Sequence, residues 1–362
     1  MDNYGYEGQY DYYYGNWNDF TLDDEKRARS RFSRLFLALF VFTVITNAVA
    51  ILAQLIIEIA FGAEQALQIY DSVWFIWALN VLAMYVIAFP IYYLMVRGMR
   101  KVERIQIGMK VSDFVKLFFI SQAFTYAGNI IGNVFNGIST AIFGEAPENA
   151  VSDMVLSSPL WIVLLVSVVI APIVEELMFR KLLIDRMSVY GDKVAIITSA
   201  VAFGLFHGNF YQLFYAAFIG LILGYIYVKT ANILYPMLMH ILFNLWGSLV
   251  PWLLADKYER YYELAEIMAT GDVSSINTEE YLSVVLPVGI YSAVQIAFII
   301  VGIVFFVKRI KYTFISDRCE VLIPKQRRAA VIVGNVGAIL FLISTAFTML
   351  ANMISPLLNT AA

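Results

Sequence analysis

Charge is scarce in this chain. Lys, Arg, Asp and Glu make up 15% of its 362 residues against 60% hydrophobic residues, and the mean hydropathy is +0.72. Soluble domains carry about a quarter charged residues, so this composition excludes a water-solvated globule and indicates a membrane protein. Cysteine is nearly absent: Cys319 stands alone, which rules out an internal disulfide and any site built from several thiolates. Histidine is almost as rare, with only His207 and His240. The pattern of a cleaved secretory leader is also missing, because the first apolar run begins only after Arg34. That run is therefore expected to stay as a helix. No long internal repeat is evident.

Long apolar runs are abundant. About 17 to 25 apolar residues cross a bilayer as helix, and runs of this kind lie near 35–61, 73–96, 111–143, 158–178, 194–208, 210–228, 231–250, 284–307 and 329–353. The third is long enough to be tilted or broken at its glycines, and 194–208 is short. The expected fold is all-α and polytopic, with eight or nine transmembrane helices.

Basic residues fall on alternate connections. Segments 25–34, 97–110, 180–193, Lys229 and 308–328 are rich in Lys and Arg, whereas 144–153 and 255–281 are mainly acidic. The positive-inside bias then places the amino terminus in the cytosol and, with nine spans, the carboxyl terminus outside. Residues 1–20 contain much Tyr, Gly, Asn and Asp and no Lys or Arg. They are expected to be a disordered cytosolic tail, drawn as 1–30, ahead of a membrane domain over 31–360. Residues 256–281 are expected as an amphipathic helix at the outer interface.

Ionisable groups inside the spans are costly, at about 2.5 kcal/mol or more near the bilayer centre, and mark functional sites by default. Glu58, Glu64 and Lys116 can snorkel towards water, which leaves Glu175, Glu176, Arg180, His207 and His240. Glu175 lies eleven residues inward from Arg186, His240 eleven from Lys229 and His207 fourteen from Lys193. At 1.5 Å per residue those are depths of about 16, 16 and 21 Å, a common layer near mid-membrane. The count requires the helix bearing EELMFRKLLIDR to run on to about Arg186. Glu176 and Arg180 are an i, i+4 pair on one face, with the acid on the favourable amino-terminal side. Glu175 points about 100° away and is the acid left to handle water. Pro172 removes a backbone donor and can kink the helix, opening room for solvent. Phe203 and His207 share a helix face, as do His240 and Asn244. A lone buried histidine usually packs, but two histidines and two glutamates at one depth suggest chemistry.

The order EELMFR, FGLFH and HILFN on successive helices resembles the EExxxR, FxxxH and HxxxN motifs of the CAAX protease and bacteriocin-processing family of intramembrane endopeptidases. The resemblance covers roughly 155–250, placing the catalytic residues on helices near 158–187, 194–208 and 231–250. It implies that Glu175 activates water as general base, with His207 orienting that water. His240 and Asn244 would polarise the scissile carbonyl and stabilise its oxyanion. Glu176 and Arg180 would support the site or engage the peptide, and Phe203 would pack it. Glu175, His207 and His240 also form a sufficient ligand set for catalytic zinc. The chain has no HExxH motif, and a metal-bound Glu175 would leave Glu176, already committed to Arg180, as the base. A metal-free glutamate mechanism is expected on that ground, with the zinc enzyme as its alternative.

Two other classes use similar parts: a proton-coupled transporter and a non-catalytic binding or immunity protein that keeps the fold. Paired broken helices would favour the first and missing catalytic side chains the second, and neither is seen. The implied substrate is a membrane-associated protein or peptide, such as a CAAX-type, prenylated tail or a peptide precursor. The lipid bilayer is the expected surrounding, in a bacterial plasma membrane, and no nucleic-acid partner is expected.

Overall fold

The computed structural model describes residues 20–147, 149–270, 277–309 and 319–359. Residues 1–19, which hold most of the expected tail, lie outside the described residues, as do 271–276 and 310–318. The described chain is helical, with no strand among the described residues.

Helix α1 (Leu22–Phe61) begins eight residues before the expected end of the tail. Thr21 and Asp24 form a reciprocal capping box there, each side chain accepting from the other residue's backbone N–H. Then follow α2 (Ala63–Tyr70), α3 (Val73–Val96), α4 (Val111–Phe143), α5 (Ala150–Leu156), α6 (Leu160–Tyr190), α7 (Asp192–Phe206) and α8 (Phe210–Thr230). Helix α9 (Leu234–Leu253) bends by 60° into α10 (Ala255–Thr270), and α11 (Thr278–Arg309), α12 (Lys325–Ile332) and α13 (Val336–Asn359) complete the order.

Seven of these helices are long and apolar enough to cross a membrane, or eight if the bent pair α9 and α10 is one span. The difference from nine lies in 194–208. That run forms α7, fifteen residues long, or about 22 Å, short of a hydrocarbon core of about 30 Å. Its apolar content suffices, but a left-handed Gly208 (φ 66°) ends it. Helix α4, in contrast, runs through Gly128, Gly132 and Gly137 without a break.

The basic connections meet at one end of the bundle. Arg186 of α6 donates to the carbonyls of Val96 and Arg97, closing the carboxyl end of α3. Arg31 donates to the carbonyls of Arg100 and Arg186. The backbone N–H groups of Val102 and Ile107 donate to the carbonyls of Asp185 and Thr230, and Arg104 pairs with Asp192. Segments 25–34, 97–110 and 180–193 and the end of α8 therefore lie together, which is the arrangement that charge alternation requires.

Close helix approach fixes the centre. Helix α8 packs between α4 and α7. A Cβ on Gly128 of α4 would stand 2.5 Å from the Tyr215 backbone of α8, and one on Gly204 of α7 would stand 2.9 Å from the Ala217 Cβ. Small residues of this kind let membrane helices touch backbone to backbone, where packing replaces the hydrophobic drive lost in lipid. The contact holds α7 and α8 in register around the turn that carries His207.

Helix α6 continues past the glutamates through Arg186, as the depth count requires. Met178, Phe179, Leu183 and Ile184 are buried along that continuation. The helix is not regular: 163–170 and 177–184 are π-helical. The first of these stretches ends two residues before Pro172, and the π-helical 81–88 in α3 likewise ends two residues before Pro90. In each case a proline withholds the next N–H, and the ladder shifts to i→i+5 bonds.

Candidate active site

The π-helical irregularity in α6 builds one wall of the site. The N–H of Ala171 donates to Val166, and Pro172 has none, so the carbonyl of Ser167 loses both its α-helical and its π-helical partner. An orphaned carbonyl in a membrane interior must be satisfied from elsewhere. The Asn244 amide of α9 supplies the bond, with Nδ2 2.9 Å from the Ser167 oxygen. One further Nδ2 hydrogen remains to Asn244.

One turn further along α6 stand the two carboxylates. Glu176 is completely buried at 0% side-chain exposure, whereas Glu175 retains 16% and lines a cavity. The buried one does more than the sequence suggests. Its Oε2 is 3.1 Å from Arg180 Nε, the expected i, i+4 pair, although the groups are not aligned for a hydrogen bond. Its Oε1 is 2.9 Å from Nδ1 of His240. Beyond the expected pair with Arg180, the carboxylate therefore also orients a histidine from α9. On its other side, His240 Nε2 lies 3.7 Å from Glu175 Oε2, so one imidazole stands between the two acids.

Arg180 is fully buried and lies over the ring of Phe203, with Cζ 4.6 Å from the centroid. A desolvated guanidinium on an aromatic face gains about 2 kcal/mol or more. Phe203 also presents its ring near-perpendicular to both histidines, with centroids 4.9 Å from His207 and 5.8 Å from His240. It is a packing hub that touches the cation and both imidazoles.

His207 follows the last turn of α7. Its Nδ1 is 2.8 Å from the carbonyl of Phe203, an acceptor only, so Nδ1 carries the proton and a neutral ring leaves Nε2 as acceptor. The turn is held by Asn209, whose Oδ1 accepts from the Gln212 N–H and whose Nδ2 donates to the His207 carbonyl. Asn209 is thereby the N-cap of α8.

The cavity has a volume of about 280 Å³ and is lined by Glu175, His207, His240, Asn244, Phe203 and Ser167 among others. Glu176 and Arg180 stand behind its wall. Spacing alone did not indicate Gln212 and Tyr215, which face the same cavity and are linked by a 2.9 Å bond from Gln212 Nε2 to the tyrosine hydroxyl. Gln212, flanked by Tyr211 and Tyr215 in the otherwise apolar first half of α8, was the available signal. Among the described residues, no three His, Cys, Asp or Glu side chains converge to hold a metal ion. Nδ1 of each histidine is engaged by an acceptor, which leaves Nε2 of His207 and of His240 as the ring nitrogens open to a ligand.

Residues 157–246, which contain all of these groups, match the family described as Type II CAAX prenyl endopeptidase Rce1-like. The similarity to this family is confined to that segment, about a quarter of the chain. The chain is also similar to the "Putative membrane peptidase YdiL" of Bacillus subtilis (strain 168), with 29% identity over 152 residues. That alignment takes in 40% of this chain and 58% of the relative's own length. No solved structure matches the chain. The matched segment comprises α6 to α8 and most of α9, with α8 locked against α4 and α7 by the glycine contacts described above.

Proposed function

We propose that the protein is an intramembrane endopeptidase that hydrolyses a peptide bond in a membrane-associated protein or peptide by glutamate-activated water. The observation that carries this reading is the position of His240 between the cavity-facing Glu175 and the buried Glu176. Similarity to the Rce1-like family and to a membrane peptidase supports the same class.

In this reading a water in the cavity gives a proton to Glu175 while its oxygen attacks the scissile carbonyl carbon. His207 Nε2 accepts the water's second hydrogen and aims its lone pair. The developing oxyanion is met by the remaining Nδ2 hydrogen of Asn244 and by Nε2–H of His240, a preorganised pair in a low-dielectric site. Collapse breaks the carbon–nitrogen bond, and Glu175 returns its proton to the departing amine. With His240 protonated on both nitrogens, Glu175, Glu176, Arg180 and His240 sum to zero charge, a condition suited to lipid. No side chain becomes attached to the substrate and no step passes through a metal. Prenylated CAAX-type tails and peptide precursors are the substrate classes that family likeness offers. A bacterial plasma membrane with the basic end of the bundle in the cytosol is the corresponding location.

The test is cleavage of a peptide library by purified protein in liposomes, comparing wild type with Glu175→Ala, His207→Ala and His240→Ala. Product from wild type alone supports the assignment. Equal product from all four proteins removes it.

A further inference from the structure

Gln212 and Tyr215 of α8 take no part in the hydrolytic steps above, yet both side chains line the catalytic cavity. The direction of each hydrogen bond around them is fixed from the backbone outward. Asn209 Oδ1 accepts from the Gln212 backbone N–H, a group that can only donate, so the Asn209 Nδ2 end is the donor. Its two hydrogens go to the carbonyl of His207 at 3.0 Å and to Oε1 of Gln212 at 2.9 Å. With Oε1 accepting, Nε2 is the end of Gln212 that meets Tyr215, and it donates to the phenol oxygen at 2.9 Å. The chain therefore runs one way, from Asn209 through Gln212 to Tyr215.

That chain ends in an unused donor. Tyr215 accepts from Gln212 and still carries its own O–H hydrogen, for which no acceptor occurs among the described residues. Packing on both sides of α8 sets its position. A Cβ on Gly128 of α4 would lie 2.5 Å from the Tyr215 backbone, and one on Gly204 of α7 would lie 2.9 Å from the Ala217 Cβ. A donor held in this way is preorganised, and in a low-dielectric cavity its hydrogen bond is stronger than in water.

The group it meets follows from the substrate's backbone. A peptide segment unwound for hydrolysis inside a membrane loses its helical hydrogen bonds, and each carbonyl it exposes must find a donor in the protein. The scissile oxygen has Asn244 and His240, both on α9. Tyr215 stands instead on α8, one turn beyond the Asn209 cap that holds the His207 turn. We propose that the Tyr215 hydroxyl binds a main-chain carbonyl of the substrate next to the scissile one, so that recognition at this point reads an unwound backbone rather than a side chain. The proposal rests on the peptidase reading. It makes Tyr215 a substrate-binding residue and Gln212 the residue that positions it.

The experiment takes a peptide that wild type cleaves from the library in liposomes and compares it with thioamide forms. In each form one carbonyl oxygen near the cut, other than the scissile one, is replaced by sulfur, a poorer acceptor. Tyr215→Phe is expected to raise KM for the parent peptide about 3- to 10-fold, the range of one hydrogen bond, with kcat within about twofold and a melting temperature close to wild type. At one neighbouring position the thioamide should raise KM for wild type by a similar factor and leave Tyr215→Phe unaffected, the non-additivity of two groups in contact. Gln212→Leu keeps the phenol but removes the bond that orients it, and is expected to give a smaller rise in KM. Unchanged KM in Tyr215→Phe overturns the proposal, as does a loss confined to kcat, which would put the hydroxyl on the scissile oxygen. Thioamide effects that are equal in both proteins at every position overturn it too. These three outcomes leave the peptidase reading in place, whereas absence of cleavage by wild type removes that reading and the proposal with it.

Discussion

His240 and Glu176 are joined by a 2.9 Å contact from imidazole Nδ1 to carboxylate Oε1, across two helices and 64 residues of sequence. This contact turns a charge pair within one helix into a device that sets the orientation of a histidine facing the cavity. Glu176 then acts through His240 and Arg180, while Glu175 meets the cavity itself.

Replacement of the two glutamates should therefore have different signatures. Glu175→Gln keeps the shape of the cavity and removes the base, so kcat for peptide cleavage is expected to fall by about 10²- to 10⁴-fold with thermal stability close to wild type. A variant that retains full activity would contradict the role given to Glu175.

Removing one member of the buried pair leaves the other charge without compensation. Arg180→Met or Glu176→Gln alone is expected to cost about 3–5 kcal/mol in the case where the partner stays ionised. The double variant should regain much of that stability, since both charges are gone, and should stay inactive because His240 has lost its carboxylate. Thermal unfolding in detergent, read beside the cleavage assay, separates the two effects. Recovery of activity in the double variant would show that His240 needs no such partner.

Asn244 holds the orphaned Ser167 carbonyl and offers its other amide hydrogen to the cavity. Asn244→Ala is expected to lower kcat by about 10²- to 10³-fold, the usual loss for one oxyanion donor, with little change in KM. A change confined to KM would instead make Asn244 a substrate-binding residue.

The glycine contacts predict where the bundle tolerates volume. Gly128→Val would drive a side chain into the Tyr215 backbone, whereas nothing lies within 4 Å of a Cβ on Gly137 of the same helix. The first change is expected to destabilise by about 1–3 kcal/mol, through overpacking, and to reduce activity by shifting α8. Gly137→Ala should be close to neutral. Equal melting temperatures for both would mean that the α4 and α8 backbones are not in close contact.

Metal removal gives a further check. Dialysis against chelator should leave cleavage intact under the glutamate mechanism. Loss of activity restored by zinc would replace that mechanism with the metal-dependent one.

Much of the site could be read from sequence because its pairings are local. Glu176 with Arg180, and His207 with the Phe203 carbonyl, are i, i+4 relationships, and helical geometry makes such residues neighbours wherever the helix lies. The common depth of Glu175, His207 and His240 also followed from counting, because rise per residue is constant and the basic connections mark one plane. Length was less legible. Hydropathy scored 194–208 as a span, but a left-handed Gly208 ends α7 after fifteen residues, and backbone handedness leaves no mark on a hydropathy profile.

By itself, the sequence determined the solvent, the all-helical class and the handful of ionisable residues that lipid would not tolerate without a purpose. Scarcity of charge and of histidine made those inferences possible. Tertiary structure alone decided which partners those residues take between helices: His240 with Glu176, and Asn244 with the carbonyl freed by Pro172. The physical reason is that periodicity specifies a face within one helix, whereas partners on different helices depend on how each helix is rotated and how closely it can approach. Here that is set by backbone contact at Gly128 and Gly204 and by the π-helical turns of α6.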